Sequence, residues 1–358
     1  DRRTISSRRR HRWTACGVYL TNQTLRFIPT IGGRLQRGIK TLNMKKKDLR
    51  IVFMGTPEFA VESLKALVEN GYNVVGVVTQ PDKPVGRHHE TLQASAVKQY
   101  ALEVGLPVLQ PERMKDETFL VQLRALKADL QVVVAFRMLP REVWSMPTYK
   151  TFNVHAALLP DYRGAAPINW AVINGETETG VTTFFLDEDI DTGRIIQRKK
   201  FPIPDDANVE YVYNGLMHLG AKVAMETVDL IATAQSFEEI SYQQINNGNL
   251  HTAPKLFKEN CLINWNQPAK RIYNFIRGLS PIPGAWTSLP GSLTLKIYKS
   301  AKTSRSSTGT PGTFVVERNR LYANTEDFQL ELLEIQLSGK KRMMADSFLN
   351  GFHDRFPW

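Results

Sequence analysis

Between residues 50 and 201 the chain repeats one pattern, a short run that is mostly apolar as far as residue 186, alternating with segments whose apolar residues recur at helical spacing. The runs fall at 50–54, 73–79, 108–109, 130–135, 151–154, 181–186 and 194–201. The helical segments fall at 58–70, 95–103, 115–128, 167–174 and 209–234, with Gly71 placed to cap the first. A strand that is apolar at every position leaves no face for water and needs cover on both sides. The pattern therefore predicts an α/β domain built on a mainly parallel, Rossmann-like sheet covered by helices. In such sheets ligands bind outside the carboxyl ends of the strands.

The periodicity stops near residue 234. Residues 235–253, which include SYQQINNGN, are polar and irregular and read as a linker. Beyond them come one helical segment at 269–277 and short alternating runs at 293–298, 312–316, 321–323 and 329–336, separated by Gly, Ser and Pro. That spacing predicts a smaller C-terminal β-barrel, OB-like. The expected organisation is a first domain at 48–234, the linker at 235–253 and a second domain at 254–350. Residues 1–47 read as a basic leader outside the fold, because they carry no core-forming pattern and Met44 stands as an ordinary start just before the first strand. Their Arg richness would also suit an organellar presequence.

Charge separates along the same boundaries. Residues 1–43 hold ten Lys and Arg and one acid, residues 44–253 hold 21 basic against 26 acidic residues, and residues 254–358 hold 15 against 8. The chain is thus an acidic body joined to a basic module, the electrostatic footprint of a polyanionic partner or, equally, of scattered solvated cations. No apolar stretch is long enough for a membrane span, and two cysteines, Cys16 and Cys261, exclude a disulfide scaffold and fit a reducing, cytoplasmic location. No metal-ligand spacing is present, and no metal is expected.

The densest set of chemically capable residues follows the strand at 151–154. Alternation puts Asn153 and His155 on one side of its end, where both can donate to one oxygen. The acidic loop 187–191, two strands later, is expected to leave the same sheet edge and to offer a carboxylate to the imidazole, which favours its charged form. No Ser or Cys nucleophile adjoins His155. An amide, an imidazole and a carboxylate without a nucleophile suit acyl transfer in which an amine acceptor attacks directly. The turn Gly55-Thr56-Pro57 lacks a dinucleotide or phosphate-loop fingerprint and reads as a tight strand-to-helix turn. The long loop 80–93 is either functional or a solvated excursion.

The stretch NVHAALLPDYRGAAPINWAVINGETETGVT at 153–182 and the DIDTG at 189–193 resemble the formyltransferases that use 10-formyltetrahydrofolate. FMGTPEFA at 53–60, QPDKPVGR at 80–87 and INWNQPAKRIYNFIRGLSPIPGAW at 263–286 extend the resemblance across about residues 48–350, and toward the members that act on methionyl initiator tRNA. It implies a catalytic set of Asn153, His155 and Asp191. It further implies a folate pocket framed by Ala135, Phe136, Arg137, Met138 and Leu139, by Leu158, Leu159 and Pro160, and by Asp187 and Asp189. The loop at Arg87 would wedge against the tRNA acceptor end, and a monomer is expected. The basic second domain offers Lys255, Lys258, Lys270, Arg271, Lys296 and Lys299 to tRNA phosphates.

Three positions depart from the family pattern. Ala157 replaces the Ser of the usual SLLP, His88-His89-Glu90 replaces a Lys-rich run after Arg87, and Arg137 stands where relatives often have Gly. A formyltransferase acting on a small amine, such as an amino-sugar nucleotide or glycinamide ribonucleotide, would need no basic domain. A non-catalytic RNA-binding protein would need no Asn153, His155 and Asp191 set.

Overall fold

The computed structural model describes residues 45, 47–85, 91–246 and 248–352. The leader apart from residues 45 and 47, and the loop tip with Arg87, lie outside the described residues.

Seven strands form the first sheet: β1 Ile51–Gly55, β2 Val74–Val78, β3 Val108–Leu109, β4 Leu130–Val134, β5 Thr151–His155, β6 Glu178–Phe185 and β7 Ile195–Pro202. Their spatial order is β7-β6-β5-β4-β1-β2-β3. Five pair in parallel, β6 runs against them, and β7, antiparallel to β6, runs with them again. The chain moves outward from β1 in one direction and then returns to start β4 on its other side, so the strand order reverses there. Helices cover the sheet: α1 Glu58–Glu69, α2 Ala96–Glu103, α3 Glu117–Ala125, α4 Arg141–Trp144, α5 Pro167–Ile173 and α6 Val209–Thr233. The wholly apolar strands are buried on both faces, Ile51, Val52, Phe53 and Met54 each to 0% exposure. Local chemistry sets the helix starts. Ser95, Asp116 and Asn208 accept the N–H three residues on, a cap that stabilises by about 1 kcal/mol.

The direction of β6 corrects one expectation. Phe152 pairs with Phe185 and His155 with Thr182, so β6 ends beside the start of β5 and not at its carboxyl end. The acidic loop therefore leaves the opposite edge of the sheet. It reaches His155 only by turning back along the sheet face.

The second domain holds α7 Ala269–Gly278, then β8 Ala285–Leu289, β9 Leu293–Ser306, β10 Phe314–Glu317, β11 Arg320–Asn324, β12 Phe328–Leu337 and β13 Met343–Met344, and finally α8 Ala345–Phe352. The expected barrel is an antiparallel sheet in the order β8-β9-β12-β11-β10, with β13 added to β12. Its end strands β8 and β10 do not pair among the described residues. The register of β9 against β12 shifts at three points, the irregularity that lets a fourteen-residue strand bend. Strand β8 and helix α8 have no counterpart in the sequence reading.

The domains meet through α5 and α7. A side chain at Gly278 would lie 2.6 Å from Ile173 Cγ1, and Asn169 Nδ2 donates to the Gly278 carbonyl at 2.9 Å. Arg277 is buried beside them and donates to the Ala207 carbonyl at 2.8 Å, and burial pulls its pKa below the usual arginine value. Residues 235–253 are irregular but not loose. Ser241 accepts from Arg194, Tyr242 bridges Ile195, and Thr252–Ala253 pairs with Arg163–Gly164.

Candidate active site

A cavity of about 640 Å³ opens where the strand order reverses. Pro57 after β1, residues 135–139 after β4, residues 153–156 at the end of β5, Gly164–Asn169 leading into α5, and Leu186–Asp191 after β6 all line it. Its size lies within the range of small-ligand sites, about 300–1,000 Å³. Its walls are apolar at Phe136, Leu139 and Trp144, and Met138 and Ile190 leave 68% and 58% of their surfaces exposed at its lips. Large apolar side chains left this open offer a surface for a flat ring.

Asn153 and His155 sit two residues apart on β5 and both face the cavity, as alternation requires. Among the described residues no protein group bonds the Asn153 carboxamide, so its N–H groups are free for a ligand. His155 is 6% exposed. Its Nε2 lies 2.9 Å from the Tyr162 carbonyl, which can only accept, so Nε2 carries a proton. That fixes Nδ1 as the working nitrogen, and it stands 3.8 Å from Asp191 Oδ2. The gap exceeds a hydrogen bond but lies within electrostatic range.

Asp191 adopts a left-handed backbone, φ 55°, unusual without glycine. Its Oδ2 accepts the Gly164 N–H at 3.0 Å, and Gln244 Nε2 donates to its carbonyl at 2.8 Å. The Tyr162 hydroxyl donates to Glu176 at 2.6 Å, and burial followed by that carboxylate pushes the phenol well above its ordinary pKa. It stays a neutral donor that anchors the loop holding both His155 and Asp191.

Of the anticipated pocket residues, Ala135, Phe136, Arg137, Met138, Leu139, Asp187 and Asp189 line the cavity. Leu158, Leu159 and Pro160 do not. Leu159 is fully buried, with its N–H bonded to Thr182 Oγ1 and its carbonyl to Arg198, while Leu158 packs against Gly180. Pro160 lines a separate depression with Arg198 and Tyr242. The turn is held inward by Thr182, whose hydroxyl donates to the Ala157 carbonyl at 2.6 Å. The alanine at the Ser position of the usual motif is itself buried.

Among the described residues Arg137 is the single Lys or Arg that lines the cavity, whose lining also includes Asp187, Glu188, Asp189 and Asp191. Its guanidinium donates to the Glu112 carbonyl at 2.9 Å and to that of Pro111, and its Nε is buried without a partner. Burial lowers its pKa from the usual value. Pro57 and Asn169 also line the cavity, and both were passed over in the sequence, Pro57 as part of a simple turn.

Of the anticipated tRNA-binding cations, Lys255 lies 5.4 Å from the Phe257 ring and Lys258 5.8 Å from that of Trp286. Lys270, Arg271 and Lys299 are exposed, whereas Lys296 donates to the Pro283 carbonyl at 3.1 Å. Nearby Lys302 pairs with Asp205 across the domain boundary. Outside the cavity, Asp161, Glu176 and His251 bring their ligand atoms within 4.8 Å of one another. Bonds to the His251 N–H and the Tyr162 hydroxyl account for that grouping. Among the described residues no helix is long and apolar enough to cross a membrane.

Two family models match the chain, formyl transferase at residues 49–228 and formyl transferase C-terminal domain at 255–353. A methionyl-tRNA formyltransferase of Parabacteroides distasonis is 58% identical over 317 residues, covering 86% of this chain and 97% of the relative. One from Bacteroides fragilis is 56% identical over 315 residues, covering 87% and 97%. In three dimensions the chain resembles WlaRD, a sugar 3N-formyl transferase, at TM-score 0.58 and 20% identity, covering 82% of this chain and 99% of that one. It also resembles HypX from Aquifex aeolicus in complex with tetrahydrofolic acid, at TM-score 0.57 and 18% identity, covering 86% and 48%. With both domains matched and more than half of its aligned residues shared with near full-length relatives, the chain belongs to the formyl transferase family, alongside the methionyl-tRNA formyltransferases.

Proposed function

We propose that the protein transfers the formyl group of 10-formyltetrahydrofolate to the α-amino group of methionine on initiator tRNA. The observation that carries this is the unpartnered Asn153 amide beside the His155 and Asp191 pair, on one wall of a cavity with apolar lips. When bound, the folate supplies the formyl carbonyl and a leaving nitrogen. Asn153 Nδ2 and a proton on His155 Nδ1 would donate to the formyl oxygen as it gains charge. Asp191, 3.8 Å away, would stabilise the charged imidazole and hold its orientation. Since an α-amino group titrates near about 8, part of the acceptor is neutral at pH 7 and needs no strong base. A monomer working in the cytoplasm is part of the same proposal.

Arg137 would meet the carboxylates of the glutamyl tail, the anionic end of this co-substrate. Losing a charge-assisted hydrogen bond costs about 1.5–3 kcal/mol. Arg137→Gly is therefore expected to raise KM for the folate on the order of tenfold or more, with kcat near the parent value. An unchanged KM removes Arg137 from that role.

The acceptor is tested by supplying the folate with methionyl-tRNA, an amino-sugar nucleotide or glycinamide ribonucleotide. Formylation of the tRNA alone is expected. The exposed cations at 255–299 would neutralise phosphates, so tRNA affinity should fall about 100-fold or more between 50 and 200 mM salt. Formylation of a small amine, with a flat salt response, would favour the amino-sugar type of activity that the fold neighbours' names describe.

A further inference from the structure

The polar segment between the domains sends one side chain inward at the site. Gln244 Nε2 donates to the carbonyls of both Asp191 and Gly193, each at 2.8 Å. Its Oε1 accepts from Arg163, at 2.6 Å from Nη2 and 3.2 Å from Nε. Both donor hydrogens and the acceptor oxygen are thus in use. Arg163 adjoins Gly164, whose N–H holds the Asp191 carboxylate. The Asp191 loop is tied by its side chain to one end of this dipeptide and by its backbone, through Gln244, to the other.

Resting on the functional reading above, we infer that Gln244 is a positioning residue for the transfer reaction, which sets the reach of Asp191 to His155 through the loop backbone. Asp191 departs from a pairing strand at the far edge of the sheet, sits at φ 55° and stops 3.8 Å from the imidazole. A carboxylate so placed has no strand to fix its position, and a slip of about 1 Å at a reacting constellation can cost on the order of 100-fold. Gln244 is half-buried in an otherwise exposed stretch, with Tyr242 and Ile245 nearby exposing 44% and 69% of their surfaces. The segment has other anchors, at Ser241 to Arg194, at Tyr242 to Ile195 and at His251 to Asp161. Removing Gln244 leaves those in place.

The test uses Gln244→Ala and Gln244→Glu in the full chain, each also combined with Asp191→Ala, with single-turnover formylation of methionyl-tRNA as the readout. Gln244→Glu keeps an oxygen, now charged, for Arg163 and loses both donors to the loop. The positioning role predicts that both variants lose about 10- to 100-fold in the rate of transfer. KM for folate and tRNA should stay within about twofold, on the same physical ground that neither ligand is touched. In the Asp191→Ala background neither substitution should lower the rate further, since the group being positioned is gone. Parent-like transfer by Gln244→Glu, a rise in KM at unchanged kcat, or a loss that persists without Asp191 would each overturn the inference. Failure of the parent protein to formylate methionyl-tRNA would instead overturn the functional reading.

Discussion

Asn153→Ala is expected to lower kcat by about 100- to 1,000-fold, the usual effect of deleting one donor to a developing oxyanion. The structure makes this substitution unusually clean. The carboxamide bonds no protein group among the described residues, so its removal breaks nothing internal. Its neighbours on β5, Phe152 and Val154, carry the packing, at 0% and 3% exposure. The thermal midpoint should therefore move little, since no hydrogen bond is lost and no partner is left unsatisfied. KM for methionyl-tRNA should also hold, because the donor strengthens its bond only as charge develops. Steady-state kinetics beside a melting curve separate these effects. A variant that turns over at the parent rate would assign the oxyanion to His155 alone.

Asn153 and His155 are legible in the sequence because a strand's two-residue period dictates that they share a face, whatever surrounds them. The parallel half of the sheet is legible for a related reason, since a strand buried on both faces must be apolar throughout. Strand direction is not encoded that way. Residues 181–186 read as a strand in either sense, so the loop carrying Asp191 is expected at the wrong edge, although the carboxylate still comes within 3.8 Å of His155. The turn of Leu158 to Pro160 away from the cavity, with Leu159 buried, is hidden similarly, because it depends on Thr182 from a neighbouring strand reaching two backbone groups. Gln244 gave no local signal. It lies in a polar stretch whose composition records only that no core forms there, and its bonds join it to residues 51 and 81 positions away. Strand β8 was missed because proline and glycine crowd its approach at residues 281–284, and these read as loop.

Gly193→Ala is expected to cost about 100-fold in kcat through displacement alone. A Cβ built on Gly193 would lie 1.6 Å from the Phe185 carbonyl oxygen and 2.9 Å from its carbon, so the clash is with backbone at the end of β6. That backbone cannot yield easily, since the Phe185 N–H is itself bonded to the Arg194 carbonyl at 3.0 Å. The loop must retreat by more than an ångström. Asp191 lies two residues upstream, and the Gly193 carbonyl is one of the two that Gln244 holds, so the retreat moves the carboxylate and loosens its tether together. Overpacking of this kind also destabilises by about 1–3 kcal/mol, which a melting curve would register. Gly220→Ala gives the matched comparison. Gly220 lies inside α6, where the added carbon meets only Val154 Cγ1 at 3.5 Å, an ordinary contact, and alanine favours a helix interior by about 1 kcal/mol. The same chemical change should then raise stability at one glycine and abolish most turnover at the other. Parent-like turnover in Gly193→Ala would mean that the position of Asp191 does not limit the reaction, and the part assigned to the carboxylate would fall with it.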